Sequence, residues 1–309
     1  MKRLAFLLFF LSGVFVIPTK IFAQNYFYNN SYYDNPVNTE IGLSAGMMNC
    51  LTDLGGKEGI GEKFIKDLNY GKNASCYGLY GSMLYRDAIG IRMEACFGKI
   101  SADDAVLSSV PVNDIARARF NRNLSFKSNI TELSLLTEIH PLFLFVNREN
   151  AENDPPRISP FITGGIGFFS FNPQGKLGNR WVDLQPLRTE GQGLKEYPDR
   201  TPYKLKQFNF PVGAGIKYEL SPLVNVRAEL IYRILTTDYL DDCSTTYIDP
   251  SYYALNGFTG VKLSNALSLN DRQINKVAGA GGKRGSPTQK DGYFSFNIKI
   301  GLVLRERAR

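Results

Sequence analysis

LVNVRAELIYRIL, residues 223–235, alternates strictly. Its even positions are Val224, Val226, Ala228, Leu230, Tyr232 and Ile234, and its odd positions include Asn225, Arg227, Glu229 and Arg233. Successive strand residues point to opposite faces, so one face is apolar and the other carries three charges. In a soluble sandwich or calyx the apolar face meets protein and the charges meet water. In a transmembrane barrel the apolar face meets lipid and the charges fill the lumen.

The same pattern recurs along the chain. In 40–48, Ile41, Leu43, Ala45 and Met47 oppose Glu40, Gly42, Ser44 and Gly46. In 77–85, Tyr77, Leu79, Met83 and Tyr85 share a face. In 89–98, Ile89, Ile91, Met93 and Phe97 oppose Arg92 and Glu94, and in 129–139 Leu133, Leu135 and Ile139 oppose Glu132 and Glu138. In 208–220 an apolar row opposes Lys217 and Glu219, and in 294–304 another opposes Ser295, Asn297 and Lys299. The segment 158–171, ISPFITGGIGFFSF, alternates poorly, yet the chain needs a strand between 129–139 and 208–220. That makes eight strands.

The connections alternate in length. Long loops fall at 49–73, 99–127, 172–206 and 236–291, with tight turns at Arg86-Asp87-Ala88 and Ser221-Pro222 and a medium link at 140–157. A helical turn is expected in EKFIKDL of the first long loop. This layout predicts an all-β, eight-stranded antiparallel up-and-down transmembrane β-barrel with long extracellular loops and periplasmic termini. Unstructured loops of such length count against a compact soluble domain. Tyr77 and Tyr85 stand eight residues apart on one face. At about 3.3 Å per residue and a tilt near 40° this spans roughly 20 Å, close to the separation of two interfacial aromatic girdles.

The N-terminus carries Lys2-Arg3, an apolar stretch from Leu4 to Pro18, and a small residue at Ala23. This reads as a secretory signal over 1–23 rather than an uncleaved anchor, followed by a periplasmic segment 24–37 and the barrel at 38–309. No later apolar run reaches 18 residues, so no transmembrane helix is expected. The 29 glycines and 13% aromatic residues suit turns and strands. Removing Lys2, Arg3 and Lys20 with the signal lowers the formal charge from +7 to +4, which gives no case for nucleic acid.

The inward set is Glu40, Arg92, Glu94, Glu132, Glu138, Lys217, Glu219, Arg227, Glu229, Arg233 and Lys299. Acids and bases nearly balance, and burying them unpaired is prohibitive. A linked network, a filled interior and no diffusion pore are expected from a barrel this narrow. The network holds the barrel together; an ion path is the sharper alternative. Cys50 and Cys76 flank one loop on the inward face and are the favoured disulfide pair of the exported chain, free thiols being the alternative. TDYLDDCSTTYIDP (237–250) clusters Asp238, Asp241, Asp242 and Asp249. It lacks the spacing of a calcium loop and suits a hydrogen-bonded rim. No cofactor or metal is expected.

His140 is the sole histidine, at the periplasmic end of the fourth strand, whereas a lipid hydrolase needs its base at the outer rim. No catalytic motif is present and no small-molecule substrate is expected. Trp181, Tyr197 and Tyr203 in loop 172–206 either anchor a partner or fold the loop onto the barrel mouth.

NTEIGLSAG (38–46), RTEGQGLKEYPDR (188–200), FNFPVGAGIKYELSP (208–222) and RILTTDYLDDCSTTYIDP (233–250) together resemble a Bacteroidota outer-membrane β-barrel family. That family is similar to PorG, the barrel component of type IX secretion and gliding. The resemblance covers most of the mature chain, and EGQGL and TDYLDD are its most specific parts. It implies a non-enzymatic outer-membrane component that contacts outer-membrane lipid. It also implies periplasmic secretion-ring proteins as partners, through Arg86-Asp87, 140–157 and the basic tail. The competing readings are a soluble lipocalin-like ligand binder, an outer-membrane barrel of unrelated role and a lipid hydrolase.

Overall fold

The computed structural model describes residues 36–57, 73–144 and 156–304. The signal region, EKFIKDL, most of the 140–157 link and the Arg305–Arg309 tail lie outside them.

Eight long strands form the barrel: β1 (Val37–Leu51), β2 (Ala74–Tyr85), β3 (Ile89–Asp103), β4 (Ser125–Ile139), β5 (Ile158–Ser170), β8 (Lys206–Ser221), β9 (Val224–Leu235) and β10 (Gly292–Leu304). A short hairpin, β6 (Gln174–Leu177) and β7 (Arg180–Asp183), extends the outer end of β4. Every neighbouring pair is antiparallel. The order runs β3-β2-β1-β10-β9-β8-β5-β4, and a β3–β4 pairing closes the ring. Closure leaves no barrel strand with an unpaired edge, so the backbone is satisfied without water.

The faces sort as the alternation requires. Leu43, Ile91, Leu135, Leu230 and Ile298 stand on the exterior, where Leu43 is 64% exposed, while Arg92, Arg227 and Lys299 are fully buried inside. A lipocalin-like calyx needs the reverse arrangement. Apolar residues this continuous on a closed barrel are stable only against hydrocarbon, so the chain is an outer-membrane β-barrel. No helix among the described residues is long and apolar enough to cross a membrane. Tyr77 and Tyr85 both lie outside, as their shared parity demands.

At the short-turn end, Arg86 and Asp87 both adopt positive φ, at 50° and 52°. Ala88 N–H donates to Tyr85 C=O at 3.0 Å. Two left-handed central residues make the mirror-image turn whose twist matches flanking strands. The Asp87 carboxylate accepts from Asn38 Nδ2 at 2.7 Å and lies 3.6 Å from Lys217 Nζ, which offsets the strain.

At the other end the strands run beyond their alternating stretches: β3 continues to Asp103 and β4 begins at Ser125. Alternation fades there because the loops cover both faces. Asn49 has outward parity yet is 2% exposed, its Nδ2 donating to Asn73. The long loops carry structure of their own, including helices at Arg117–Arg122, Ser251–Leu255 and Gly260–Asn270. They enclose one apolar cluster around Leu184, Leu187, Ile248, Tyr253, Phe258 and Leu269. Another stoppers the upper lumen, where Met48, Phe126, Phe169 and Tyr293 meet Leu54 and Leu240 from the loops.

All four cysteines are buried free thiols, so the expected Cys50–Cys76 bridge is absent. Strand register explains it: Cys76 pairs with Gly46, four residues along β1 from Cys50, a separation of about 13 Å.

Candidate functional site

The lumen holds its charges in one chain of contacts. Arg92 on β3 lies 2.5 Å from Glu138, 3.2 Å from Glu94 and, straight across the barrel on β9, 2.9 Å from Glu229. Arg227 lies 3.0 Å from Glu40 and 2.8 Å from Glu138. Lys299 sits 2.5 Å from both Glu94 and Glu229. Three bases and four acids are thus linked, and the surplus negative charge is met by neutral donors. Tyr80 Oη donates to Glu40, as does Asn225 Nδ2 at 2.7 Å.

Glu132 and Arg233 form a separate pair higher in the lumen, 3.0 Å apart, with Tyr293 Oη donating to Glu132 at 2.8 Å. Lys217 belongs to the periplasmic turn through Asp87, and Glu219 is half-buried at that mouth. The inward set therefore divides into a central network, an upper pair and a mouth group. Glycines make room for it. At Gly301 a Cβ would strike the Glu40 carboxylate and Tyr80 hydroxyl, and at Gly167 it would strike Asn209. In 158–171 the inward positions hold Gly167 and the buried aromatics Phe161 and Phe169 opposite exposed Ile162, Ile166 and Phe168, so both faces read as apolar.

Arg92 and Glu229 tie opposite walls together below the apolar stopper, so charged side chains cross the space a pore would need. Reconstituted in a planar bilayer, the protein is expected to give no stepwise ionic conductance. Reproducible unitary currents would refute a filled lumen.

His140 is buried beneath the network, its Nδ1 2.7 Å from Ser159 Oγ and its Nε2 3.6 Å from Glu138. A serine, a histidine and a carboxylate in a row resemble a hydrolase triad. Here Ser159 is 1% exposed, and Glu138 is already held by Arg92 and Arg227. No substrate atom reaches that hydroxyl, so the trio is a structural floor to the lumen. Sequence alone did not show this grouping, because Ser159 arrives from a different strand.

The extracellular cap is the second charged centre. Asp104 accepts two bonds from Arg122, both at 2.9 Å, and the Arg122 guanidinium also donates to Asp53 C=O at 2.6 Å and Arg284 C=O at 2.7 Å. Arg284 in turn lies 2.8 Å from Glu190, whose other oxygen accepts from Thr245 N–H and Oγ1. Asp242 takes hydrogen bonds from Thr189 and from Tyr203 Oη. Two arginines thereby fasten all four long loops to one another. The EGQGL and TDYLDD stretches both take part in this lock, Glu190 and Asp242 meeting at Arg284 and Thr189, just before EGQGL, donating to Asp242.

The cluster at 237–250 serves as the hydrogen-bonded rim. Asp241 accepts from Leu54 and Cys243 N–H, at 3.3 and 2.9 Å. Among the described residues no group of three metal-ligating side chains converges. Burial pushes the Asp242 carboxyl up to about 6 against the pull of Arg284, and it pushes Asp238 up to about 7. Asp241 and Asp291 rise well above the carboxylate range through burial and then through neighbouring carboxylates. A carboxyl raised in the folded state contributes its stability below the unfolded value near 4 and loses it as pH rises through the folded value. The cap is therefore expected to tighten as pH falls from 7.5 to 5. Loop cleavage by a protease, normalised to a peptide substrate at each pH, should slow several-fold. Asp242→Asn should flatten that dependence, and a cap that loosens towards pH 5 would contradict it.

Of the aromatic loop residues, Tyr203 is buried, stacked 5.0 Å from Tyr239 and 6.1 Å from Phe171. It folds its loop onto the mouth and has no surface left to offer a partner. Tyr197 is half-buried, packing edge-on to Tyr252 with the Arg200 guanidinium 4.6 Å over its ring. Trp181 stays at the surface on β7, with Lys127 Nζ 4.5 Å from its ring, beside a cavity of about 520 Å³.

No family model matches the chain, and no curated protein matches it. Solved structures do resemble it. The attachment invasion locus protein Ail of Yersinia pestis is 8% identical with TM-score 0.35, covering 87% of this chain and 97% of its own. Neisserial surface protein A is 8% identical with TM-score 0.32, over 87% and 98%. OprG from Pseudomonas aeruginosa is 10% identical with TM-score 0.33, over 87% and 96%.

Proposed function

We propose that this barrel is a non-conducting, non-enzymatic anchor in the outer membrane that serves type IX protein secretion as a structural accessory. The filling of the interior by a linked ion-pair network below and an apolar stopper above carries the reading, since side chains occupy the space that a pore or a reaction chamber would need. The likeness of its sequence to PorG-like Bacteroidota barrels supports the secretion role, and its most specific stretches are the ones that interlock in the cap.

An anchor of this kind acts through the face it offers the periplasm. There the turn at Arg86-Asp87 presents an exposed arginine, and the same end of the barrel carries the exposed Leu142 and Leu223. A secretion ring would dock on such a mixed charged and apolar rim. Replacing Arg86 by Asn and Asp87 by Gly suits the turn geometry, so the barrel should still fold. Crosslinking and pull-down of the full protein should recover periplasmic ring components, and this variant should recover at least tenfold less. A deletion strain should lose type IX secretion. Normal secretion in that strain, with no ring component captured, leaves an outer-membrane barrel of unrelated role.

A further inference from the structure

A cavity of about 1010 Å³ lies between the cap and the outer wall of the barrel, beside the outer ends of β1, β9 and β10. Its floor includes Leu51 and Tyr232, whose side chains have outward parity; the Tyr232 ring lies across Gly292 on the lipid-facing wall. Its sides come from two loops. Val112 and Ile115 are 77% and 65% exposed on one, and Ile274 and Val277 are 52% and 81% exposed on the other. Asn121 ties these loops together, donating to Asn275 C=O and accepting from Asn275 N–H at 2.9 and 2.8 Å. So much exposed aliphatic surface above a membrane wall is unusual unless an apolar group covers it.

Around this surface stand Arg117, Lys283 and Lys290, and among the described residues no salt bridge engages any of them. Arg117 stacks 4.3 Å over the Phe120 ring and donates to Ser108 and Val110 C=O at 3.4 Å, Lys290 donates to Thr236 C=O within the field of Asp238, and Lys283 lies in the field of Asp53. The two lining acids are turned to backbone amides: Asp53 accepts from Ser286 N–H and Asp291 from Leu240 N–H. An apolar recess that begins at the lipid-facing wall and ends under cations that no salt bridge engages matches one chemistry.

We propose that this recess binds a lipid of the outer leaflet whose phosphates carry net negative charge, its acyl chains against Tyr232 and the aliphatic walls and its phosphates against Lys283, Lys290 and Arg117. A chain enters from the bilayer without crossing water, and each cation near an anionic headgroup adds to the affinity.

The test is titration of the full protein in neutral detergent by native mass spectrometry, with lipid A, phosphatidylcholine and inorganic phosphate as separate probes. Lipid A should be retained at least tenfold more tightly than phosphatidylcholine, and inorganic phosphate should not displace it. Lys283→Ala with Lys290→Ala should weaken lipid A roughly thirtyfold. Val277→Asp, at an exposed position that does not burden folding, should weaken both lipids. Protease resistance of the cap confirms that each variant is folded. Equal retention of the two lipids, or a folded double variant that binds as the wild type does, overturns the proposal. Displacement by inorganic phosphate alone marks a soluble-anion site and overturns the lipid reading.

Discussion

Arg227→Met is expected to cost the barrel about 3–5 kcal/mol, the largest loss from any single lumen substitution. Arg227 is fully buried, donates through three nitrogens to Glu40 and Glu138, and lies 5.5 Å over the Tyr80 ring. Methionine fills much of the volume but leaves Glu40 with only Tyr80 and Asn225 as donors. Glu138 keeps Arg92. The penalty is therefore that of an uncompensated buried carboxylate rather than of lost packing. Adding Glu40→Gln should recover a large part of it, because the surviving groups can then bond as neutral partners. Urea unfolding in lipid vesicles, followed by the mobility shift between folded and unfolded barrel, reads both variants. A loss under about 1 kcal/mol for Arg227→Met would mean the network is hydrated and screened.

Arg122→Ala is expected to release the cap while leaving the barrel standing. It strips Asp104 of the ion pair with Arg122 and removes the donors to loop carbonyls at Asp53 and Arg284. Local opening should become easier by about 3 kcal/mol, which raises loop cleavage by trypsin roughly hundredfold where cleavage follows the open population. The β-sheet signal in circular dichroism and the unfolding midpoint of the barrel should hardly move. Simultaneous loss of barrel and cap would show that the loops fold as part of the barrel rather than upon it.

These effects arise in different parts of the chain, and only one was legible in the sequence. Within the membrane each residue has a single choice, lipid or lumen, so the period of two in 223–235 reports it without help from the rest of the fold. Seven of the eight strands, and the inward charges, followed from that rule; the strand at 158–171 was required by the count rather than by its alternation. Above the membrane the loops cover both faces of the strands, and parity no longer reports burial, as Asn49 shows. The cap rests on contacts such as Arg122 to Arg284 C=O, 162 positions apart in sequence, which no local pattern encodes. The same holds for the upper stopper, where Leu54 and Leu240 descend from loops onto Tyr293 and Phe169. The disulfide expectation failed for a related reason: parity puts Cys50 and Cys76 on one face, but only register gives their height along the barrel.

The central claim is the inversion of the barrel, with hydrocarbon outside and charge inside. It is tested most directly by single tryptophans at Leu230 and Ile298 in a Trp181→Phe background, reconstituted in vesicles containing lipids brominated along their acyl chains. The account predicts blue-shifted emission at both positions and strong quenching by the brominated chains. Water-exposed or unquenched emission at both sites, from a protein that stays soluble without detergent, would contradict it.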